Sequence, residues 1–430
     1  MPLSARLSLL HRAALAGGGR QASVPTTALR ERLAGLLGPA GGRSAAVRPA
    51  TERARPPVQR LSPRGFEPVD TPYGVAWRYL DVLPVGRFVG VVPPVPHAYL
   101  DTETTGLAGG TGTQVFAAAV CRPTAAGLEL CQLFLSEPAA EAAFLHLLQQ
   151  ELHRSVAVAT YNGSRFDLPL VRTRWVMARL PGELEHPEHL DLLTLTRALL
   201  KPRLESCTLR AVEERWLGYE REDDLPGALV PEVYFEYLRH GFSPSLEAAL
   251  EHNRLDVLSL YHLHGRLLRR LAGADPHMEA ADWLALGRHL NRAGRRADGW
   301  RALRRAAEMA QGPPSAVAGA LLARKLARRG EADAAERLLA RLSEQLPCEP
   351  ALAIVRAQLL EWRLRRLEGA REVVVQALLQ QGAASLHRHG LERRLSRLER
   401  RLQRGAAGGL RSRRTASPAG PAAGDRLTGL

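Results

Sequence analysis

The segment Asp101–Gly106 reads Asp-Thr-Glu-Thr-Thr-Gly and directly follows an apolar stretch, Ala98–Leu100. An apolar stretch that ends in polar residues is typical of a buried strand running into a turn. Residues two apart on a strand point to the same face, so the carboxylates of Asp101 and Glu103 would lie side by side. Because like charges repel and burying them unpaired is costly, the pair predicts a divalent cation such as Mg²⁺ or Mn²⁺. For the pair alone, a solvated turn is the alternative.

Two further segments carry acidic residues in a context that fits the same site. Asp167 stands at the start of a predicted helix, shortly after an apolar strand, Val156–Thr160. His252 and Asp256 are four residues apart in a helical pattern, and this spacing brings both side chains onto one side of the helix. The sequence therefore predicts that Asp101, Glu103, Asp167 and Asp256 form one acidic site with His252 beside it.

The order of these four acids resembles that of the DEDD 3′–5′ exonuclease superfamily, which has the ribonuclease-H-like fold. The surrounding text is similar to one branch, the YprB-like bacterial ribonuclease-H-like proteins. That similarity rests on four further segments: Leu190–Leu193, Glu205–Leu209, Asp223–Gly227 and His252–Leu260. The resemblance covers about residues 65–270, and its strength lies in the conjunction of motifs in this order.

The resemblance implies hydrolysis of phosphodiester bonds with two divalent cations, Mg²⁺ or Mn²⁺. Asp101 would contact both ions, Glu103 and Asp256 would complete one site, and Asp167 would help to hold the other. Glu103 could alternatively orient the attacking water.

His252 is the candidate general base, since histidine titrates near neutrality. Members of the superfamily have either Tyr four residues before the last Asp or His five residues before it. Here His stands four before Asp256, so the chain departs from both patterns. A role for His252 in capping the helix or contacting phosphate stays open.

Several residues near the acids are predicted to contact substrate. These are Thr102, Gly106, Leu107, Asn162 and Phe166. Gly106 belongs to a glycine-rich loop that would let a nucleic-acid backbone approach, whereas Leu107 and Phe166 would either pack in the core or stack on bases. Asn162 would hold its turn or touch substrate. Asp191 is not expected to be a primary metal ligand, because four carboxylates suffice for two ions.

The pattern of residues 65–270 predicts an α/β domain with a mixed sheet flanked by helices. Consecutive strands are expected at 99–101, 115–121 and 128–135, the middle ones antiparallel. A helix follows at 139–152, then a strand at 156–160 and further helices. This order matches the ribonuclease-H-like fold that the resemblance implies.

Residues 277–404 are predicted to form an all-α region. Similar segments recur around Gly294, Gly330 and Gly369, about 36 and 39 residues apart, each between helical patterns rich in Ala and Leu. This spacing favours tetratricopeptide-like repeats, in which small residues let paired helices approach closely. A plain helical bundle is the alternative. Such repeats could recruit a protein partner.

Charge is distributed unevenly along the 430 residues, whose formal net charge is +15. Residues 61–260 contain about 17 basic and 26 acidic side chains, while the segments before and after them are strongly basic. The division fits an acidic metal site with basic flanks that attract a polyanion. The alternative is that arginine simply replaces lysine on a solvated surface.

The two ends of the chain differ in composition from its middle. Residues 1–60 are rich in Arg, Ala, Gly and Pro and are predicted to be a largely disordered basic leader with one short helix, Ala28–Leu37. A transit peptide is the alternative for this segment. Residues 405–430 are predicted to be a disordered tail. No apolar run approaches a membrane span. The four cysteines lack metal-site spacing, which suits a reducing cytoplasm.

The sequence thus favours a metal-dependent nuclease, a 3′–5′ exonuclease acting on single-stranded DNA or RNA. One alternative is a catalytically weak nucleic-acid-binding adaptor that recruits partners through its helical region. Another is an endonuclease that uses the same acids without recognising an end. An intact set of four acids favours an enzyme over the adaptor.

Overall fold

The computed structural model describes residues 63–84, 97–106, 110–181, 188–221, 225–380 and 386–415, with side chains as far as residue 404. The predicted leader, 1–60, its short helix and Leu107 lie outside these ranges. Two compact units divide the described chain. The first comprises residues up to Thr196 together with Ser206–Leu268, and the second comprises Arg197–Glu205 together with the residues from Arg269 onward.

A seven-stranded mixed sheet forms the centre of the first unit. Its strands are β1 (Glu67–Thr71), β2 (Gly74–Leu83), β3 (His97–Thr104), β4 (Val115–Pro123), β5 (Leu128–Phe134), β6 (Ala157–Thr160) and β7 (Glu188–Asp191). They lie in the order β1-β2-β5-β4-β3-β6-β7, antiparallel from β1 to β3 and parallel from β3 to β7. The predicted mixed sheet is therefore confirmed, although the sequence pattern did not reveal β1, β2 and β7.

Strand β3 lies inside the sheet, between β4 and β6, and it carries the paired acids. Its register places Asp101 opposite Ala119 and Glu103 opposite Ala117. Residues directly opposite each other on antiparallel strands share a face of the sheet. The neighbours of the two carboxylates on β4 are therefore only methyl groups, which leave room beside the acids. The register shifts between Glu103 and Thr104, so the regular pairing ends at the acidic pair.

Helices cover the sheet of the first unit. They are α1 (Glu141–His153), α2 (Asp167–Met177), α3 (Leu192–Leu200), α4 (Leu209–Val212), α5 (Val230–His240) and α6 (Pro244–Leu271). Aromatic side chains of α5 pack on the sheet, where the rings of Phe116 and Tyr234 stack 4.6 Å apart and Phe134 meets Tyr237 edge-on. This buried cluster fixes the framework from which the polar residues project.

A buried ion pair joins the helix that carries Asp167 to its neighbour. Arg174 of α2 donates from Nε to Glu141 Oε1 at 2.6 Å and from Nη2 to Glu141 Oε2 at 2.5 Å. Paired donation of this kind fixes orientation as well as distance. The pair therefore sets the direction of α2, whose first residue is Asp167.

Helical hairpins build the second unit. Its helices are α7 (Ala280–Arg292), α8 (Arg296–Glu308), α9 (Gly312–Arg328), α10 (Ala332–Gln345), α11 (Pro350–Trp362), α12 (Leu367–Gln380) and α13 (Arg388–Thr415). Gly294 and Gly330 have positive φ angles of 79° and 86° at the turns between successive helices, the conformation in which a residue without Cβ is favoured. The predicted all-helical region is confirmed, while its relation to tetratricopeptide repeats stays a prediction.

The third of the recurring segments, around Gly369, does not separate two helices. Gly369 lies inside α12, and the chain instead turns after Trp362, where Arg365 has a φ of 58°. An arginine in this conformation gives no turn signal in the sequence, whereas the nearby glycine resembles one. The last helix also extends to Thr415, past the predicted start of the tail at 405, and residues 416–430 lie outside the described ranges.

Two expectations from composition can be compared with the described residues. All four cysteines are free thiols, with Cys121 and Cys131 buried. None of the helices that the structure describes combines the length and the apolar character needed to cross a membrane.

Candidate active site

Four acidic residues converge from three elements of the first unit. Asp101 and Glu103 project from β3, Asp167 begins α2, and Asp256 lies on α6. Burial raises the pKa of Asp101 well above its ordinary value, and the negative charges of Asp256, Glu103 and Asp167 raise it further. The predicted set of acids is therefore brought together closely enough for each charge to affect the others.

The other two acids with shifted pKa values respond to the same environment. Burial raises the pKa of Glu103 to about 8, with His252 opposing the shift and Asp256 and Asp167 adding to it. Burial also raises the pKa of Asp167 to about 6, against the hydrogen bond from Thr102. Both carboxylates thus keep their protons to a higher pH than usual, which indicates uncompensated negative charge at this end of β3.

A chain of buried hydrogen bonds orients Asp101. Arg254 donates to Gln132 Oε1 at 3.1 Å, Gln132 donates to Asn253 Oδ1 at 2.8 Å, and Asn253 donates to Asp101 Oδ2 at 2.7 Å. Asn253 is fully buried, and its amide therefore has one orientation that satisfies both partners. The chain links β5, α6 and β3 and holds one oxygen of Asp101 in place.

Thr102 supports another acid of the site. Its hydroxyl donates to Asp167 Oδ1 at 2.5 Å. The sequence analysis predicted that Thr102 contacts substrate, whereas the structure places its hydroxyl on the carboxylate. The interaction ties β3 to the first residue of α2.

Arg221 is the cation of this site. Its guanidinium donates to Asp256 Oδ1 and, at 2.5 Å, to Glu213 Oε1, and its side chain is almost fully buried. Burial opposes the charge of Arg221, but the two carboxylates outweigh it and raise the pKa of the guanidinium. Burial raises the pKa of Glu213 in spite of Arg221. Arg221 therefore compensates a carboxylate that was predicted to bind metal.

His252 and Asp256 face the same side of α6, as their spacing predicts. His252 Nε2 lies 3.7 Å from Asp256 Oδ2, and His252 Nδ1 lies 3.2 Å from Arg221 Nη1. Since arginine can only donate, Nδ1 must accept in this contact. The proton of the neutral imidazole then resides on Nε2. In this arrangement His252 has no lone pair left for accepting a proton, so a role as general base requires the Arg221 contact to open.

Asn162 belongs to a rigid turn between β6 and α2. Its φ is 68°, a conformation that asparagine tolerates better than most residues, and its backbone amide donates to Asp191 Oδ1 at 2.9 Å. A side chain at the following Gly163 would collide with Thr160. Of the two roles predicted for Asn162, the geometry supports the one of holding the turn.

Asp191 is the anchor of the same turn. It accepts the hydroxyl of Ser164 at 2.5 Å and the backbone amide of Leu193 at 3.1 Å. Burial alone would raise the pKa of Asp191, but these hydrogen bonds and those from the amides of Asn162 and Ser164 outweigh it and lower the pKa. An acid saturated in this way has little capacity for a metal ion.

The remaining predicted contact residues differ in what the structure shows of them. Phe166 directly precedes Asp167 and is 52% exposed, so core packing is excluded for it. The carbonyl of Gly106 accepts the hydroxyl of Thr104 at 2.9 Å, and a Cβ at Gly106 would lie 3.1 Å from Thr113. Gly106 therefore serves a tight turn directly after the acidic pair.

These residues have the right chemistry for divalent cations, but not yet the right arrangement. Four carboxylates with an excess of negative charge are the donors that Mg²⁺ or Mn²⁺ prefers. Across the described ranges, however, no three His, Cys, Asp or Glu side chains are arranged as they stand to hold one ion. Asn253 and Arg221 engage oxygens of Asp101 and Asp256 that a cation would use. The donor chemistry fits, and loading at Asp256 requires its contact with Arg221 to rearrange.

Sequence reasoning missed the residues that support the acids, namely Gln132, Glu213, Arg221 and Asn253. Gln132 left a signal, because it is a lone amide within the apolar strand Leu128–Phe134. Asn253 stands next to His252 within a segment already singled out. Arg221 left none, since it lies 35 positions before Asp256 in a chain rich in arginine.

Comparison with known proteins agrees with this architecture. Residues 98–268 match a family model described as RNase_H superfamily, so the first unit contains a ribonuclease-H-like domain. Over 188 residues the chain is 35% identical to a Bacillus subtilis (strain 168) protein described as uncharacterized protein YprB. The match covers 42% of this chain and 45% of that protein, less than half of either length.

A solved structure, that of the family B DNA polymerase from the hyperthermophilic archaeon Pyrobaculum calidifontis, shows a weaker likeness. It is 18% identical with a TM-score of 0.32, and the alignment covers 49% of this chain and 30% of the polymerase. A similarity this weak does not indicate which residues form the site.

Proposed function

We propose that the ribonuclease-H-like domain is a divalent-metal-dependent nuclease that hydrolyses phosphodiester bonds. The observation that carries the proposal is the convergence of Asp101, Glu103, Asp167 and Asp256 from one strand and two helices. Burial and mutual repulsion raise pKa values within this set. Such perturbed carboxylates are concentrated at functional sites in proteins, because they are costly elsewhere.

Each acid has a proposed task. Asp101 would contact both of two Mg²⁺ or Mn²⁺ ions, Glu103 and Asp256 would complete the ligands of one, and Asp167 would help to hold the other. When bound, the ions would activate a water molecule and stabilise the oxygen that leaves phosphorus. Asn253 fixes one oxygen of Asp101. Glu103 can alternatively orient the attacking water.

His252 is proposed to accept the proton of the attacking water. For this it must lose the donor that Arg221 places on Nδ1 at 3.2 Å. A cation bound by Asp256 would compete with Arg221 for that carboxylate, and displacement of Arg221 would free His252 as well. Once displaced from Asp256, Arg221 would be able to contact another anion, such as a phosphate of the substrate.

The proposed substrate is single-stranded DNA or RNA, degraded from its 3′ end. The polarity follows only from the resemblance of the acid order to the DEDD exonucleases. The exposed ring of Phe166 beside Asp167 supports single strands, because unpaired bases can stack on an aromatic side chain. The path of the nucleic-acid backbone is proposed to be shaped by Gly106, Leu107 and Asn162.

One observation favours a second candidate, an adaptor with weak catalysis. Arg221 neutralises Asp256, and the described acids are not arranged as they stand to hold an ion. In an adaptor this state would persist, and nucleic acid would be bound without being cut. The helical region would then recruit a protein partner.

A nuclease assay with Mn²⁺ tests the proposal. The purified chain is incubated with end-labelled single strands of DNA and of RNA, in parallel with Asp101→Asn and with chelator. Shortening of free-ended strands, lost in both controls, would support the exonuclease. Equal cleavage of strands with blocked 3′ ends would indicate an endonuclease instead. Binding without any cleavage would favour the adaptor.

A further inference from the structure

A concave surface in the second unit lies outside everything that the proposed hydrolysis requires. It is a groove of about 380 Å³ formed by α9, α11 and α13. The residues that matter for its chemistry are Arg324, Arg328, Trp362, Arg363, Arg394 and Arg397. We define these six as the arginine–tryptophan groove. Its volume falls within the range of pockets that hold small organic groups.

The groove is built over a buried acid. Glu361 is fully buried and pairs with Arg394 at 2.8 Å, Arg397 at 2.6 Å and Arg401 at 2.8 Å. Three guanidinium groups share this one carboxylate, so the cluster keeps an excess of positive charge. Burial and the neighbouring Arg397 lower the pKa of Arg394, as expected where cations are crowded together. Glu361 thus holds arginines in place without cancelling them.

Further positive charge lines the groove and is not neutralised. Arg324 and Arg328 are four residues apart and so project from the same side of α9. Both are exposed, as is Arg363. Within the described part of the chain, none of these three forms an ion pair. A solvated surface with mixed charges would have acids interspersed among them.

Trp362 supplies the second chemical feature. Its side chain is 51% exposed, which is unusual for the largest apolar residue, and it lines the groove. Arg401 and Arg397 stack near its ring, with guanidinium carbons 4.9 and 5.7 Å from the ring centroid. These arginines stiffen the ring and make the surface around it cationic.

We infer that the arginine–tryptophan groove binds single-stranded nucleic acid, with a base on Trp362 and backbone phosphates on Arg324, Arg328 and Arg363. Exposed aromatic rings set among arginines suit a ligand that alternates flat bases with anionic phosphates. An acidic peptide does not alternate flat rings with anions at every unit, and a duplex hides its bases from Trp362. The inference rests on the proposed function only in taking nucleic acid as the ligand, since the groove lies in the other unit.

Binding can be measured without cleavage. The full chain carrying Asp101→Asn is titrated in chelator against a fluorescein-labelled twelve-residue oligothymidylate, followed by anisotropy, at several salt concentrations. Under these conditions the result is independent of catalysis. Absence of hydrolysis in the nuclease assay would overturn the proposed function but not the inference about the groove. Substitutions that abolish binding at the groove would leave hydrolysis of short strands unchanged.

Trp362→Ala tests stacking. We expect roughly tenfold weaker binding with an unchanged salt dependence, because stacking on a base releases no counterions. Trp362→Phe should recover most of the affinity. On an abasic strand of equal length, Trp362→Ala should have no effect. Leu379→Ala, which also truncates an exposed apolar residue of the second unit, is the matched control and should bind normally.

The double variant Arg324→Gln/Arg328→Gln tests the phosphate contacts. The slope of log affinity against log salt should become shallower by about 0.7 for each lost contact to a single strand. Arg337→Gln/Arg341→Gln removes the same charge from exposed positions of α10 outside the groove and should leave the slope nearly unchanged.

Three results would overturn the inference. The first is normal affinity in Trp362→Ala. The second is an equal change of slope in both double variants, which would mean a general charge effect. The third is equally tight binding of polyglutamate with no dependence on Trp362, which would mark the groove as a surface for an acidic protein. Thermal melts of each variant show that it is folded.

Discussion

The acids of the site divide into two groups according to the charges of their neighbours. Asp101 and Glu103 lie among other carboxylates, and burial together with repulsion raises their pKa values. Asp256 instead contacts Arg221. Cation binding therefore relieves repulsion at Asp101 and Glu103 but must displace an ion pair at Asp256. The ion site that includes Asp256 should therefore load less readily than the one that Asp167 helps to form.

Removing single carboxylates tests this reading of the acids. Asp101→Asn, Glu103→Gln, Asp167→Asn and Asp256→Asn should each lower the rate of hydrolysis by orders of magnitude while the protein stays folded, and chelator should abolish activity in the wild type. Rates on labelled strands and thermal melts measure the two effects. Full activity in two or more of these variants would contradict the two-metal mechanism.

The pairing of His252 with Arg221 leads to a separate prediction. His252→Ala should keep its affinity for Mn²⁺ but slow the chemical step by roughly 10²–10⁴, the usual contribution of a general base. The measurement is the pH–rate profile under single-turnover conditions, in which the wild type should show an ionisation that His252→Ala lacks. An unchanged rate in His252→Ala would assign the residue to orienting Asp256, from which it lies 3.7 Å away.

Strand β3 concentrates charge where its regular pairing ends. A carboxyl with a raised pKa in the folded state holds its proton more tightly there than in the unfolded chain. Raising the pH through that interval therefore removes stability. For Glu103 the interval runs from its ordinary value of 4.5 to about 8. In chelator, the free energy of unfolding should fall as the pH rises across this window.

Thermal melts between pH 5 and 8 check this dependence. Glu103→Gln should flatten the decline and be more stable than the wild type at pH 8, because it removes a buried charge. Added Mn²⁺ should restore stability most strongly at the alkaline end, since cations bind deprotonated carboxylates. Stability that rises with pH in chelator would show that Glu103 is not held in this way.

Sequence patterns anticipated the elements that have a regular period and missed those that depend on distant contacts. Strands β3 to β6 and helix α1 follow apolar stretches, and the acidic pair on β3 can be recognised from its spacing alone. The hairpin of β1 and β2 carries exposed residues at many positions, so its pattern is weak. The partners Arg221 and Gln132 come from remote parts of the chain, and only the fold reveals them.

The charges of the chain are distributed unevenly along the sequence. The middle of the sequence, which carries the candidate site, has an excess of acids, although the net charge of the chain is +15. An acidic site cannot attract a polyanion over a distance before cations load it. Long-range attraction must then come from the basic segments, including the arginines of the second unit, and its strength should depend on salt.

This separation predicts that salt affects long and short substrates differently. A long strand has many phosphates that basic surfaces can contact while its end occupies the site, whereas a strand of three or four nucleotides has few. Between 50 and 200 mM salt, KM for a long strand should rise much more steeply than KM for a short one, with little change in kcat for either. Steady-state rates with saturating Mn²⁺ on both lengths measure this. A long strand with neutral methylphosphonate linkages away from its 3′ end is the control and should behave like the short one, because it releases no counterions there. Equal salt dependence for the two lengths would mean that the arginines of the flanking segments take no part in holding substrate.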